Sequence, residues 1–226
     1  MFKKQPFDNN IFMKIFHWAY VLLAANICFA LVNLPFCLVA LTTAVDPRNT
    51  WLFALALLPM GPAVMVMIAW IDQLKSQKDL DPVKSFFQLY RKFWKKGLLY
   101  GSLAWLVSVI SIVDILFFMK TSNGKWILPF FILLTILALA LMIHCDYFQV
   151  KNPELASKDI LKTAAYFTLR KWYVSLLNVV LVALVLIVMV VKPQFGMTIL
   201  PVLFLGIVYL NCTQLSKNTV LAEKML

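Results

Sequence analysis

Six long apolar runs constrain this chain more than any other feature, at residues 16–45, 51–71, 97–119, 126–145, 173–191 and 198–215. The hydrocarbon core of a bilayer takes about 20 apolar residues of helix to cross, and each run is of roughly that length or longer. Backbone polar groups in lipid must be satisfied internally, so continuous apolar runs of this kind cross as helices. The expected fold is an all-α integral membrane protein with six transmembrane helices, in a single polytopic domain covering 1–226. Composition agrees: 62% of the residues are apolar and 14% charged, against about 45–50% and about 25% in soluble domains. A soluble enzyme, a secreted disulfide scaffold and a disordered chain are thereby excluded, and the residues between the runs are too few for a large soluble domain.

Two runs contain helix breakers. Residues 16–45 are long enough to tilt, or to break near Asn33-Leu34-Pro35, and Pro59 with Gly61-Pro62 predicts a kink in 51–71. Lys192-Pro193-Gln194-Phe195-Gly196 reads as a tight turn between the last two runs.

Charge sets the expected orientation. A net charge of +11 would suggest nucleic acid in a soluble protein, but here the cations sit between the apolar runs, and no nucleic-acid partner is expected. Of the 21 Lys and Arg, 17 fall in the first segment, in the loops after the second and fourth runs, and after the last run. The other side has Arg48, Lys120, Lys125 and Lys192. By the positive-inside rule both termini lie in the cytoplasm of a multi-pass cell-membrane protein. The first run far exceeds the roughly 7–15 residues of a cleavable signal's apolar region. Trp51 and Trp126 would mark the outer interface, and Trp18, Trp70, Trp94 and Trp172 the inner one. Cys28, Cys37, Cys145 and Cys212 form no C-x-x-C pair and read as packing residues.

Asp81 followed by Pro82 signals a helix start. Val83, Phe86, Phe87, Tyr90, Phe93 and Trp94 then share one face of a helix over 82–96, with Lys84, Arg91, Lys92, Lys95 and Lys96 on the other. A weaker counterpart over 157–172 has the stripe Leu161, Ala165, Leu169 and Trp172, with Arg170 and Lys171 at its end. Both read as cytoplasmic amphipathic helices, aromatic side among the headgroups and basic side toward anionic lipid. They serve either to anchor their loops or as a docking surface for a partner. Lys14-Ile15-Phe16-His17-Trp18 is a fainter echo. Cutting at Asp72 and Asp146 gives units of 72, 74 and 80 residues. These are either three parallel helix-hairpin repeats about the membrane normal, or merely the composition that the inner interface selects.

Within the third run Gly97, Gly101, Ala104, Ser108 and Ser111 recur at spacings of four and three. Such a stripe lets another helix approach closely, in this chain or another. Asp114 flanks its outer end. A carboxylate at membrane depth is costly, so Asp114 should be neutral or paired with Arg48, Lys120 or an amide, as an interhelical clamp or as an ion or substrate contact. Asn26, Asn33, Asn178 and Asn211 read as helix-to-helix hydrogen bonds. His144-Cys145-Asp146 cannot converge on a metal, because consecutive helical residues point in different directions, and Asp146 is expected at the inner interface. No metal, cofactor or direct ATP binding is indicated. The chain lacks H-E-x-x-H, G-x-S-x-G and a phosphate-binding glycine loop, so an enzyme is not expected.

Gly61-Pro62-Ala63, then Asp81-Pro82-Val83-Lys84-Ser85-Phe86-Phe87, Arg91-Lys92-Phe93-Trp94 and Val113-Asp114-Ile115-Leu116-Phe117-Phe118 follow one another in an order that resembles the YesL-type family of small bacterial integral membrane proteins. The resemblance is sharpest over 61–118, and the final third matches only in layout. The family has no established activity, so no catalytic residue is carried over. What the resemblance implies is association with carbohydrate importers of the ABC type. The chain lacks the E-A-A…G loop with which a permease engages its ATPase, so the implied role is a non-enzymatic accessory or regulatory subunit beside the permease. The alternative is a small carrier or channel using Asp114 and the intramembrane asparagines.

Overall fold

The computed structural model describes residues 11–44, 46–77, 80–121, 124–192, 196 and 198–224. Val45, Lys3, Lys4, Lys78 and most of the 192–196 turn lie outside the described residues. Among the described residues the regular structure is entirely helical: α1 (Ile11–Val32), α2 (Leu34–Thr42), α3 (Thr50–Ala56), α4 (Met60–Ser76), α5 (Pro82–Phe118), α6 (Leu128–Lys151), α7 (Ser157–Arg170), α8 (Trp172–Val191) and α9 (Leu200–Lys224), with short 3-10 turns at Pro47–Asn49 and Gly124–Trp126. Among the described residues five helical segments are long and apolar enough to cross a membrane, and a sixth, Leu200–Ser216, is shorter. This is the architecture of a multi-pass membrane protein.

Prolines place the breaks. Pro35 has no N–H to donate, so the first run divides at Asn33 into α1 and α2. Pro59 and Pro62 likewise divide α3 from α4. Tighter bonds bridge that gap, from Leu58 N–H to the Leu55 carbonyl at 3.2 Å and from Met60 N–H to Leu57 at 2.9 Å.

α4 is the axis of the bundle. Every residue from Met60 to Trp70 is buried, against α5, α6, α9 and α1. Leu99, Leu103, Leu106 and Ile110 on α5, and Phe130 and Leu133 on α6, face outward instead. Exposed apolar rows of that extent suit lipid and not water.

Three expectations are corrected. Residues 82–96 are not a separate interfacial helix but the first turns of α5, 37 residues long. No breaker stronger than Gly97 intervenes, and helix propensity alone does not stop a packed helix there. Its Phe86 and Phe93 are buried in the bundle, while Val83, Phe87 and Trp94 stay outside. In α7 the buried row is Ile160, Ala164, Phe167 and Thr168, whereas Leu161, Leu169 and Trp172 are exposed. The larger Phe167 decides the face by packing on the Phe148 ring at 5.0 Å, and Trp172 already belongs to α8. Trp70 is fully buried, while Trp18, Trp51, Trp94, Trp126 and Trp172 are exposed.

Candidate functional site

The small-residue stripe of α5 lies wholly inward: Gly97, Gly101, Ala104, Ser108 and Ser111 are all buried. Its glycines meet the start of α4. A Cβ on Gly101 would stand 2.7 Å from Gly61 Cα, and one on Gly97 would stand 2.7 Å from Pro62 Cα. The two backbones therefore touch without intervening side chains. Ser108 donates to the Ala104 carbonyl at 2.8 Å, within its own helix.

The asparagines take three different roles. Asn26 in α1 holds the start of α9, donating to the Thr198 and Ile199 carbonyls at 2.9 and 3.2 Å and accepting from Val202 N–H at 2.9 Å. Its Oδ1 thus takes up an N–H that the first turn of a helix leaves unpaired. Asn211 of α9 donates to Asn178 of α8 at 2.8 Å, and Asn178 reaches Cys212 Sγ at 3.5 Å. Asn33 bridges no helices: it is buried and its side chain donates at 2.9 Å to the Phe29 carbonyl one turn back, which also accepts from the Asn33 N–H.

The densest polar cluster is one that the sequence reading did not assemble. Asp72 of α4 accepts from the Tyr209 hydroxyl of α9 at 2.6 Å and from the Lys151 ammonium of α6. Lys151 also donates to the Tyr209 oxygen at 3.3 Å and lies over that ring, as does Lys75. Tyr147 packs against Tyr209 at 5.9 Å and donates to Thr213 at 3.3 Å. The Asp72 and Lys151 side chains are 30% and 36% exposed, so solvent screens their attraction and the Tyr209 hydrogen bond adds directionality. A second network holds the α6–α7 turn. Tyr100 donates to Gln149 at 2.7 Å, Gln149 donates to the Asn152 and Pro153 carbonyls, and Lys96 donates to Pro153 at 2.9 Å. The sequence signal for the first cluster was opposite charges at the ends of two runs, but 79 residues separate them.

Two carboxylates remain. Asp114 is half-buried on α5 and makes no hydrogen bond or ion pair among the described residues, so the expected pairing with Arg48 or Lys120 is not formed. Asp146, near the end of α6, is fully buried among helices and not exposed to solvent, and neither of its oxygens has a partner among the described residues. On the same helix His144 Nδ1 faces the Ala140 carbonyl at 2.9 Å and Thr168 Oγ1 at 3.2 Å. Thr168 spends its own proton on Ala164, so Nδ1 is the protonated nitrogen and Nε2 is left without a donor. Among the described residues no three His, Cys, Asp or Glu side chains gather as metal ligands.

Lys84, Arg91, Lys92, Lys95 and Arg170 are exposed, and Lys96 and Lys171 half-buried. Lys95 lies over Trp94 at 5.7 Å and Arg170 over Tyr166 at 5.3 Å. These cations follow the ends of the apolar helices, where headgroups would meet them.

Compared with known proteins, the chain finds no match among curated sequences or solved structures. Residues 22–115, from α1 to near the C-terminal end of α5, match the family described as "Protein of unknown function, DUF624", to which YesL-type proteins belong.

Proposed function

We propose that this chain is a non-enzymatic accessory or regulatory subunit of a bacterial carbohydrate ABC importer, crossing the cell membrane six times with both termini in the cytoplasm. The observation that carries this reading is how the intramembrane asparagines are used: Asn26, Asn33, Asn178 and Asn211 all hold backbone or one another. A body whose asparagines are spent on local backbone and on one another, three of the four between helices, suits a scaffold better than a conduit. The cationic ends of α5 and α7 then face anionic headgroups and a cytoplasmic partner. The family likeness supplies the importer. Purification in mild detergent followed by mass spectrometry tests the association: permease subunits should co-purify, and a clean monomer would overturn it. Cysteine labelling from outside the cell tests the orientation. Positions in the 82–96 segment should stay unlabelled in intact cells.

A second reading, a small carrier or channel, draws on the absence of partners for Asp114 and Asp146 among the described residues. It requires flux in proteoliposomes that Asp114→Asn or Asp146→Asn abolishes without loss of folded protein.

A further inference from the structure

On the face of α5 opposite its glycine contact, one stripe changes character along its length. Lys84, Gln88, Arg91, Lys95, Leu99, Ser102, Leu106 and Val109 follow one another at spacings of four and three, which keeps them on a single helix face. The first half of this stripe is polar and cationic. Past Leu99, its Ser102, Leu106 and Val109, with the adjoining Trp105 and Ile110, form one wall of a groove of about 490 Å³ whose other wall is α3, contributed by Trp51, Ala54, Leu55 and Leu58. Ser102 turns its hydroxyl back onto the Leu99 carbonyl at 3.1 Å, so its contribution to the wall is effectively apolar. No acidic residue occurs on α5 between Asp81 and Asp114.

We infer that this stripe is a discrete site for one anionic glycerophospholipid, its phosphate held by Arg91 and Lys95 and one acyl chain laid along Leu99 into the α3–α5 groove. Charge complementarity selects the occupant. The cations sit at the apolar–polar boundary of the helix, where Trp94 is also exposed, and the apolar slot begins within two turns of them. From Lys95 to Val109 is 14 residues, about 21 Å at 1.5 Å per residue, which reaches from the headgroup level past the middle of a core about 30 Å thick. The groove volume also falls within the roughly 300–1,000 Å³ typical of small-molecule sites. Arg adds bidentate recognition of the phosphate, and the clustered cations repel the ammonium of a zwitterionic headgroup, so the site favours a lipid of net negative charge. The inference deepens the headgroup contact proposed above and rests on α5 crossing the membrane. It does not depend on an importer partner.

Full-length protein in mild detergent, titrated with phosphatidylglycerol or phosphatidylcholine of the same chains and read by native mass spectrometry, tests it. Wild type should retain one phosphatidylglycerol in preference to phosphatidylcholine. R91Q and K95Q should each weaken retention about fivefold. A54F, which narrows the slot and removes no charge, should weaken both lipids, and V109F provides the same test from the α5 wall if A54F does not fold. K120Q/K125Q, which removes two exposed cations beyond the far end of α5, should leave retention unchanged. Equal loss in K120Q/K125Q, or full retention in a folded groove-filling variant, would reduce the effect to general surface charge and overturn the site. Loss of the permease from the purified protein with lipid retention intact would count against the accessory role alone.

Discussion

Gly61 and Gly101 meet backbone to backbone, with a Cβ on Gly61 placed 2.8 Å from Gly101 Cα. This contact fixes the separation of the two helices on which the bundle is centred. Gly101→Ala should therefore destabilise the protein by about 1–3 kcal/mol, the usual range for overpacking. Gly206→Ala, where nothing lies within 4 Å of the added methyl, should change stability by no more than about 0.5 kcal/mol. Unfolding midpoints in mixed micelles compare the two directly.

The Asp72–Lys151–Tyr209 cluster should behave as a unit. In a double-mutant cycle, Asp72→Asn and Lys151→Met should couple by about 0.5–1 kcal/mol, the modest size reflecting their exposure. Repeating the cycle in Tyr209→Phe should reduce the coupling, because the hydroxyl that shares the carboxylate is gone. Unchanged coupling in that background would show the tyrosine to be a bystander.

Asn26 and Asn211 should differ in cost. Asn26→Leu removes the acceptor of the Val202 N–H at the start of α9 together with a donor to the backbone there, and a loss of about 1–3 kcal/mol is expected. Asn211→Leu breaks one side-chain pair, for which about 0.6 kcal/mol is typical between membrane helices. Equilibrium unfolding of both variants measures the difference.

Asp146 offers a gain. Its carboxyl is buried with neither oxygen partnered among the described residues, and an unsatisfied buried polar group costs about 1–3 kcal/mol. Asp146→Leu should raise the thermal midpoint, while Asp114→Asn, at a half-exposed position, should leave it unmoved. A fall in the midpoint of Asp146→Leu would reveal a role that packing does not explain.

Helices and breaks were legible because their causes are local. Apolar length set five segments of crossing length, and Pro35 and Pro59 marked the divisions. The faces of the amphipathic segments were harder to read. On α7 two rows one residue apart, Leu161–Ala165–Leu169 and Ile160–Ala164–Phe167, are both apolar, and the choice was made by Phe148 on another helix. The burial of Asp146 was not legible because hydropathy falls away after Cys145, whereas α6 continues to Lys151 and packs against its neighbours. The Tyr209 cluster was hidden for a related reason. Nothing near Asp72 in sequence indicates which of the later helices will bring it a hydroxyl.

The same cluster has a consequence for biosynthesis. Asp72, Lys151 and Tyr209 leave the ribosome in that order, and the hydroxyl arrives only with the last helix. Until then the earlier helices stand in the membrane with an incomplete polar junction and an uncovered flank on α4. A nascent chain halted before α9 should accordingly be a substrate for membrane proteases, and supplying α9 as a separate polypeptide should rescue it.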